Sequence, residues 1–105
     1  MPSMLIDPSY AQLSHLAGQQ VDAMVEGGCV RLWLEHVSTP ATFADLSSFT
    51  VRLTGPVDQP LIPGVQLLSS ERGDFVLMLE AVAADIRHLH YEAFLVESPD
   101  RATAA

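Results

Sequence analysis

A chain of 105 residues holds one domain with one core and is too short to divide into two. With 49% apolar and 17% charged residues it carries enough hydrophobic side chains to fold, and no run approaches the roughly 18 consecutive apolar residues of a membrane-spanning helix. Thirteen acidic residues against five basic ones give a formal charge of -8, a balance that repels phosphate backbones and anionic lipid and so argues against nucleic-acid and membrane-surface partners.

The basic residues are all arginines, spread along the chain at positions 31, 52, 72, 87 and 101 with no local basic stretch. The single cysteine, Cys29, has no partner for an intramolecular disulfide, so packing is expected to carry the stability, as suits a reducing compartment. The first residues lack a basic start ahead of a long apolar region. The expected location, without a Sec signal, is the cytoplasm or a larger assembly.

Residues 1–8 read as an arm with two prolines and a small apolar patch, Met4-Leu5-Ile6. Asp7-Pro8-Ser9 offers a cap for a short helix from Tyr10 to Leu16 that stops at Gly18. A helix this short is unstable alone in water and is expected to plug the open end of a β-structure. Residues 9–97 are expected to form a single β-rich domain. Its first strand runs from Gln19 to Glu26, with Val21, Ala23 and Val25 on one face. Gly27-Gly28 marks a hairpin into Cys29 to Val37, since primed turns need the positive φ that glycine adopts without strain. In this second arm Val30, Leu32 and Leu34 face the core, opposite Arg31, Trp33 and Glu35. Ser38 to Ser48 reads as a loop whose Phe43 and Leu46 pack back onto the body.

Phe49, Val51 and Leu53 then alternate with Thr50, Arg52 and Thr54 until Gly55-Pro56 breaks the run. After a connection stiffened by Pro60 and Pro63-Gly64 comes Val65 to Leu68; Ser69 to Asp74 turns the chain into Phe75 to Leu79, with Phe75, Leu77 and Leu79 on one face. These three runs read as a β-meander. Ala83 to Leu89 is expected as a loop and His90 to Glu97 as the last strand, apolar on both faces beyond Glu92 and therefore central or covered twice. Residues 98–105 read as a loose tail. About six short strands joined mostly by short turns make the chain mainly β, a small antiparallel β-barrel or sandwich with a short N-terminal helix.

Leu16-Ala17-Gly18-Gln19, Phe49-x-x-x-Leu53-x-Gly55-Pro56, Leu61 with Pro63-Gly64, Gly73-x-Phe75-x-Leu77-x-Leu79 and Tyr91-Glu92-Ala93 follow one another along the chain. Their order and spacing resemble a family of small bacterial proteins known as a domain of unknown function. The chain departs from that pattern at Gln66, where an aromatic is usual, at Ser70, where histidine is, and at Ala81, where proline is. The resemblance implies a β-rich fold and encoding near phage-tail-collar-like or fibre proteins, and it implies no catalytic residues.

His88-x-His90 is the one close histidine pair, and on an extended backbone both rings share a face, the start of a metal site to which His15, His36, Asp85 or Glu92 would have to contribute. A loop entering a strand explains the pair as well. Arg72-Gly73-Asp74 spells a cell-adhesion tripeptide but has the residues of a tight turn. Cys29 has only Arg31 as a basic neighbour and reads as a buried structural thiol. No serine stands in a Gly-x-Ser-x-Gly elbow, and Gly27-Gly28 lacks the lysine and helix of a phosphate loop. Glu80 and Glu92 are placed to face one another across strands as a carboxylate pair or to be solvated separately.

Trp33 lies opposite the apolar face of its strand, and Met24, Val76, Met78, Phe94 and Val96 likewise fall on second faces. Such a face is covered either by the helix and loops or by another chain. The reading that follows is a non-enzymatic structural or protein-interaction module, self-associating or docking a partner through strand edges and the second apolar face. Its expected contacts are Trp33, Met78 and Phe94 with the arm residues Met4, Leu5 and Ile6. One alternative is a small barrel holding an apolar ligand inside; a second is a metal-dependent enzyme using His88 and His90. The first reading requires no cofactor.

Overall fold

Alternating apolar side chains give each strand one face that must leave water, and the strands meet that demand together by curling into a closed sheet. A computed structural model describes residues 5–97. One helix, α1 (Tyr10–Ser14), precedes seven strands: β1 (Gln20–Val25), β2 (Gly28–Val37), β3 (Ala41–Phe43), β4 (Leu46–Pro56), β5 (Gly64–Ser70), β6 (Gly73–Ala84) and β7 (His88–Glu97). The sheet order is β2-β1-β5-β6-β7-β4-β3, and an additional β2–β4 pairing closes it into a six-stranded antiparallel barrel with β3 as an outlying strand. The mainly β expectation holds, in its barrel form.

The expected meander is only partly present. β5, β6 and β7 follow one another as neighbours, whereas β4 does not pair with β5 and is inserted between β2 and β7. Gly55-Pro56 does not end β4 either, since Gly55 pairs with Leu89 and Pro56 with His88. Glycine is required there for a different reason: a Cβ on Gly55 would fall 2.5 Å from Leu32 Cδ2, so the strand approaches the β2 core residue closely only without a side chain.

Ser38 to Ser48 is not a loop throughout, because Ala41–Phe43 pairs with the start of β4 as a hairpin, and Phe43 and Leu46 form its last rung. Phe43 points into solvent, 85% exposed, and Leu46 is exposed as well, so neither packs back onto the body. The first hairpin turns at Glu26-Gly27, one residue earlier than Gly27-Gly28, with Gly27 at φ 86° and Gly28 already paired with Val25. Between β6 and β7 only Asp85, Ile86 and Arg87 remain outside the strands. β7 is flanked on both sides as every barrel strand is, yet its outer face is bare rather than doubly covered.

The interior is filled by Val21, Ala23, Val30, Leu32, Leu34, Phe49, Val51, Leu53, Leu68, Phe75, Leu77, Leu79, Tyr91 and Ala93, all buried. Burying a side chain of this size is worth about 1.5–3 kcal/mol, so this interior is the main source of stability. The helix ends at Ser14, short of the expected Leu16, and plugs the barrel as its sequence implies: Leu13 and, just past the helix, Leu16 are fully buried, and Tyr10 meets Phe49 edge-on with ring centroids 5.6 Å apart. Ser9 caps the helix by accepting from Gln12 N, and the carboxylate of Glu97 accepts from Tyr10 N at 2.6 Å, satisfying helix N–H groups that lack partners within it. The arm reaches β6, where Ile6 N donates to Asp74 O at 2.7 Å.

Candidate functional site

Closure of the barrel turns the second faces of the strands outward, and the register arranges them in rows. Across β2, β4 and β7 one row reads Trp33, Thr54, His90; the next on β4, β7 and β6 reads Arg52, Glu92, Glu80. Below them Phe94 stands beside Thr50 and Val96 beside Ser48. On β5 and β6, Val65 is paired with Met78 and Leu67 with Val76. Two different outer regions result.

The first is apolar. Val65, Leu67, Val76, Met78, Phe94 and Val96 are all exposed on β5, β6 and β7, Phe94 at 70% and Met78 at 64%. Met78 and Phe94 line one shallow hollow of about 130 Å³ with Glu80 and Glu92. The two glutamates do face one another across β6 and β7. Directly opposed like charges repel, and Arg52 relieves half of this through Nε at 3.2 Å from Glu92 Oε2, while Glu80 has no ion-pair partner among the described residues.

The second region is a cleft of about 590 Å³, opened where β2 and β4 part beyond the Trp33–Thr54 pair. Arg31, Trp33 and Glu35 line it from β2, Thr54, Gly55 and Pro56 from β4, Arg87 from the β6–β7 turn and His88 from the start of β7. Trp33 is 45% exposed, as its phase implies. Arg31 Nε lies 3.9 Å from Asp22 Oδ1, too far for a hydrogen bond, with its own side chain 73% exposed. Glu35 Oε1 accepts from Thr54 Oγ1 at 2.9 Å. A neighbouring hollow of about 460 Å³ is lined by Glu35, His36, Arg52, Thr54 and His90. The arginines at 31, 52 and 87, distant in sequence, therefore converge on one side of the barrel.

Asp85 shapes the cleft wall. Its Oδ1 accepts from the backbone N–H groups of Arg87 and His88, each at 2.8 Å, a local turn that fixes where these two residues leave the hairpin. His90 Nε2 is 3.0 Å and His88 Nδ1 3.7 Å from the same carboxylate. The contact with His90, followed by the two N–H bonds, holds the Asp85 carboxyl far below the ordinary 3.8. His88 and His90 thus converge on Asp85, but among the described residues no set of three His, Cys, Asp or Glu side chains is arranged to hold a metal. His15 stands apart at the end of α1.

Other expected positions fall as follows. Trp33 is in the cleft and so does not share a surface hollow with Met78 and Phe94. Leu5 is exposed and forms a parallel bridge with Asp74, Ile6 packs against the core, and Met4 lies outside the described residues, as do residues 98–105. Cys29 is exposed next to the β1–β2 turn, not buried, because Val30 and not Cys29 has the inward phase. Arg72 sits in the β5–β6 turn while Gly73 and Asp74 begin β6, a structural use of the tripeptide. Edges for docking are reduced to the free side of three-residue β3 and to stretches paired on one side alone, such as residues 75–79 of β6 and 93–97 of β7. Val65, Leu67, Arg87 and Thr54 escaped the sequence reading because strand pairing, not strand phase, brings them to these regions. No helix among the described residues is long and apolar enough to cross a membrane. Comparison of the chain with protein-family models, with curated proteins and with solved structures finds no match.

Proposed function

We propose that this protein is a non-enzymatic protein-interaction module that docks a partner on the apolar outer face of β5, β6 and β7. The observation that carries this reading is the run of Val65, Leu67, Val76, Met78, Phe94 and Val96 across three adjacent strands, exposed and edged by Glu80 and Glu92. Single exposed apolar residues are ordinary, whereas a contiguous set is a mark of a contact surface. Charge selects the occupant: a carboxylate-edged face on a chain of net charge -8 fits a partner with an apolar centre and a basic rim. A second copy would bring like net charge against like. The family resemblance adds tail-like assemblies as one setting for such docking.

Two observations weigh against the alternatives. Large apolar side chains occupy the barrel interior where an apolar ligand would sit, and the Asp85 carboxylate that would complete a histidine metal site is engaged by two backbone N–H groups.

The test is titration calorimetry with an amphipathic peptide bearing leucines on one face and lysines at its margins, together with light scattering behind a sizing column over a range of concentrations. Saturable binding that Met78→Asp or Phe94→Asp removes and Trp33→Asp leaves intact is the expected result. A concentration-dependent dimer abolished by the same two substitutions would make a second copy the occupant. A monomer that binds no such peptide, or binds it equally in all variants, overturns the reading.

A further inference from the structure

The cleft beside Trp33 has the opposite character to the rest of the surface. In a chain of net charge -8, its lining brings together two guanidinium groups, Arg31 and Arg87, and the imidazole of His88, against the single carboxylate of Glu35. Glu35 is already engaged by Thr54 Oγ1 at 2.9 Å. Arg87 has no ion-pair partner among the described residues, and Arg31 has only the Asp22 carboxylate 3.9 Å away. The Asp85 turn sets the position of Arg87 and His88, since the Asp85 carboxylate accepts from both of their backbone N–H groups at 2.8 Å. The half-exposed indole of Trp33, two residues along β2 from Arg31, and the ring of Pro56, paired with His88, complete the lining. The cleft volume of about 590 Å³ is that of a site for a small organic group.

We propose that this cleft binds a carboxylate carried on an aromatic or apolar body, with the carboxylate held by Arg31 and Arg87 and the body laid against Trp33. Guanidinium groups present a planar fork that matches a carboxylate, and the indole face offers apolar contact and stacking. A phosphate fits less well: its second negative charge would meet Glu35, and the lining has neither a lysine nor a glycine-rich loop of N–H groups. The carboxylate has two possible sources, a free small acid or the C-terminus of a peptide. The site is separate from the apolar docking face and does not rest on it.

Trp33 is the chain's single tryptophan, so its fluorescence reports this cleft alone. The experiment titrates the protein with phenylacetate and with its neutral analogue phenylacetamide. A saturable change with phenylacetate, at least about tenfold weaker with the amide, is expected from the loss of charge-assisted hydrogen bonds. Arg87→Gln should weaken phenylacetate binding by a similar factor, with Arg31→Gln as a second variant and circular dichroism as the check on folding. Phe94→Asp should leave it unchanged. A short peptide ending in phenylalanine with a free carboxylate, compared with its C-terminal amide, separates the sources: tighter binding than phenylacetate assigns a peptide terminus, and equal or weaker binding assigns a small acid. No saturable change with phenylacetate or the peptide, or an equal response to acids and amides, overturns the proposal.

Discussion

Tyr91 is buried on β7 with its hydroxyl accepting from Leu61 N at 3.0 Å, which ties the connection between β4 and β5 to the barrel wall. Tyr91→Phe keeps the ring in place and leaves the buried Leu61 N–H without a partner. Such a group costs about 1–3 kcal/mol, and urea unfolding should show a loss of that size with an unchanged m-value. Asp85 acts at the surface through its charge. Its carboxyl is depressed, so the native state binds fewer protons than the unfolded state between the folded value and 3.8. Its contribution is therefore complete above that ordinary value and declines as pH falls below it. The groups facing it are His90, His88 and the N–H groups of Arg87 and His88. Asp85→Asn, which keeps an acceptor for the turn and removes the charge, should melt below wild type at neutral pH by a small margin that narrows between pH 3.8 and stronger acid; a margin that widened in acid would contradict the assignment.

At the scale of the element, the legible features were those with a local physical cause. Alternation alone placed Val30, Leu32 and Leu34 inside and Trp33 outside, and Ser9 marked the start of the helical turn, whose end at Ser14 falls short of the expected Leu16 and of Gly18. The β3–β4 hairpin was not legible, since it turns at Ala44-Asp45 with Ala44 at φ 53° and no glycine or asparagine to mark it. The end of β4 was misread for the converse reason, because Gly55 signals a break in isolation and is needed instead for the approach to Leu32. The cleft was hidden at a further level. Arg31, Trp33 and Glu35 share a phase, but Arg87 and His88 join them only through the pairing of β4 with β7. Trp33→Asp, at a half-exposed position on β2, should lower stability by about 1–3 kcal/mol and leave the chain folded; loss of the folded state would place the indole in the core.

For the whole molecule, closure by the β2–β4 pairing decides which surfaces remain for other molecules. Most main-chain donors and acceptors of the six barrel strands are turned to their neighbours, and recognition falls chiefly to side chains on the outer wall. Those side chains include an apolar field on β5, β6 and β7, a guanidinium-lined cleft between β2, β4 and the β6–β7 turn, and a hollow of about 390 Å³ with Met24, Val25 and Ile62 in its lining. Substitutions at Phe94 and at Arg87 should therefore have separable effects, one on binding of the amphipathic peptide and the other on the Trp33 fluorescence response to phenylacetate. The same closure has a cost during synthesis and refolding. β1 with β2, and β5 with β6 and β7, can pair as neighbours along the chain, whereas β4 must be fitted between strands on both sides, one made before it and one made after. Non-local pairing of this kind places barrel formation in the millisecond to second range. Until β4 is seated, β2 and β7 each present a bare strand edge, so the interval before closure is when this chain is most exposed to aggregation.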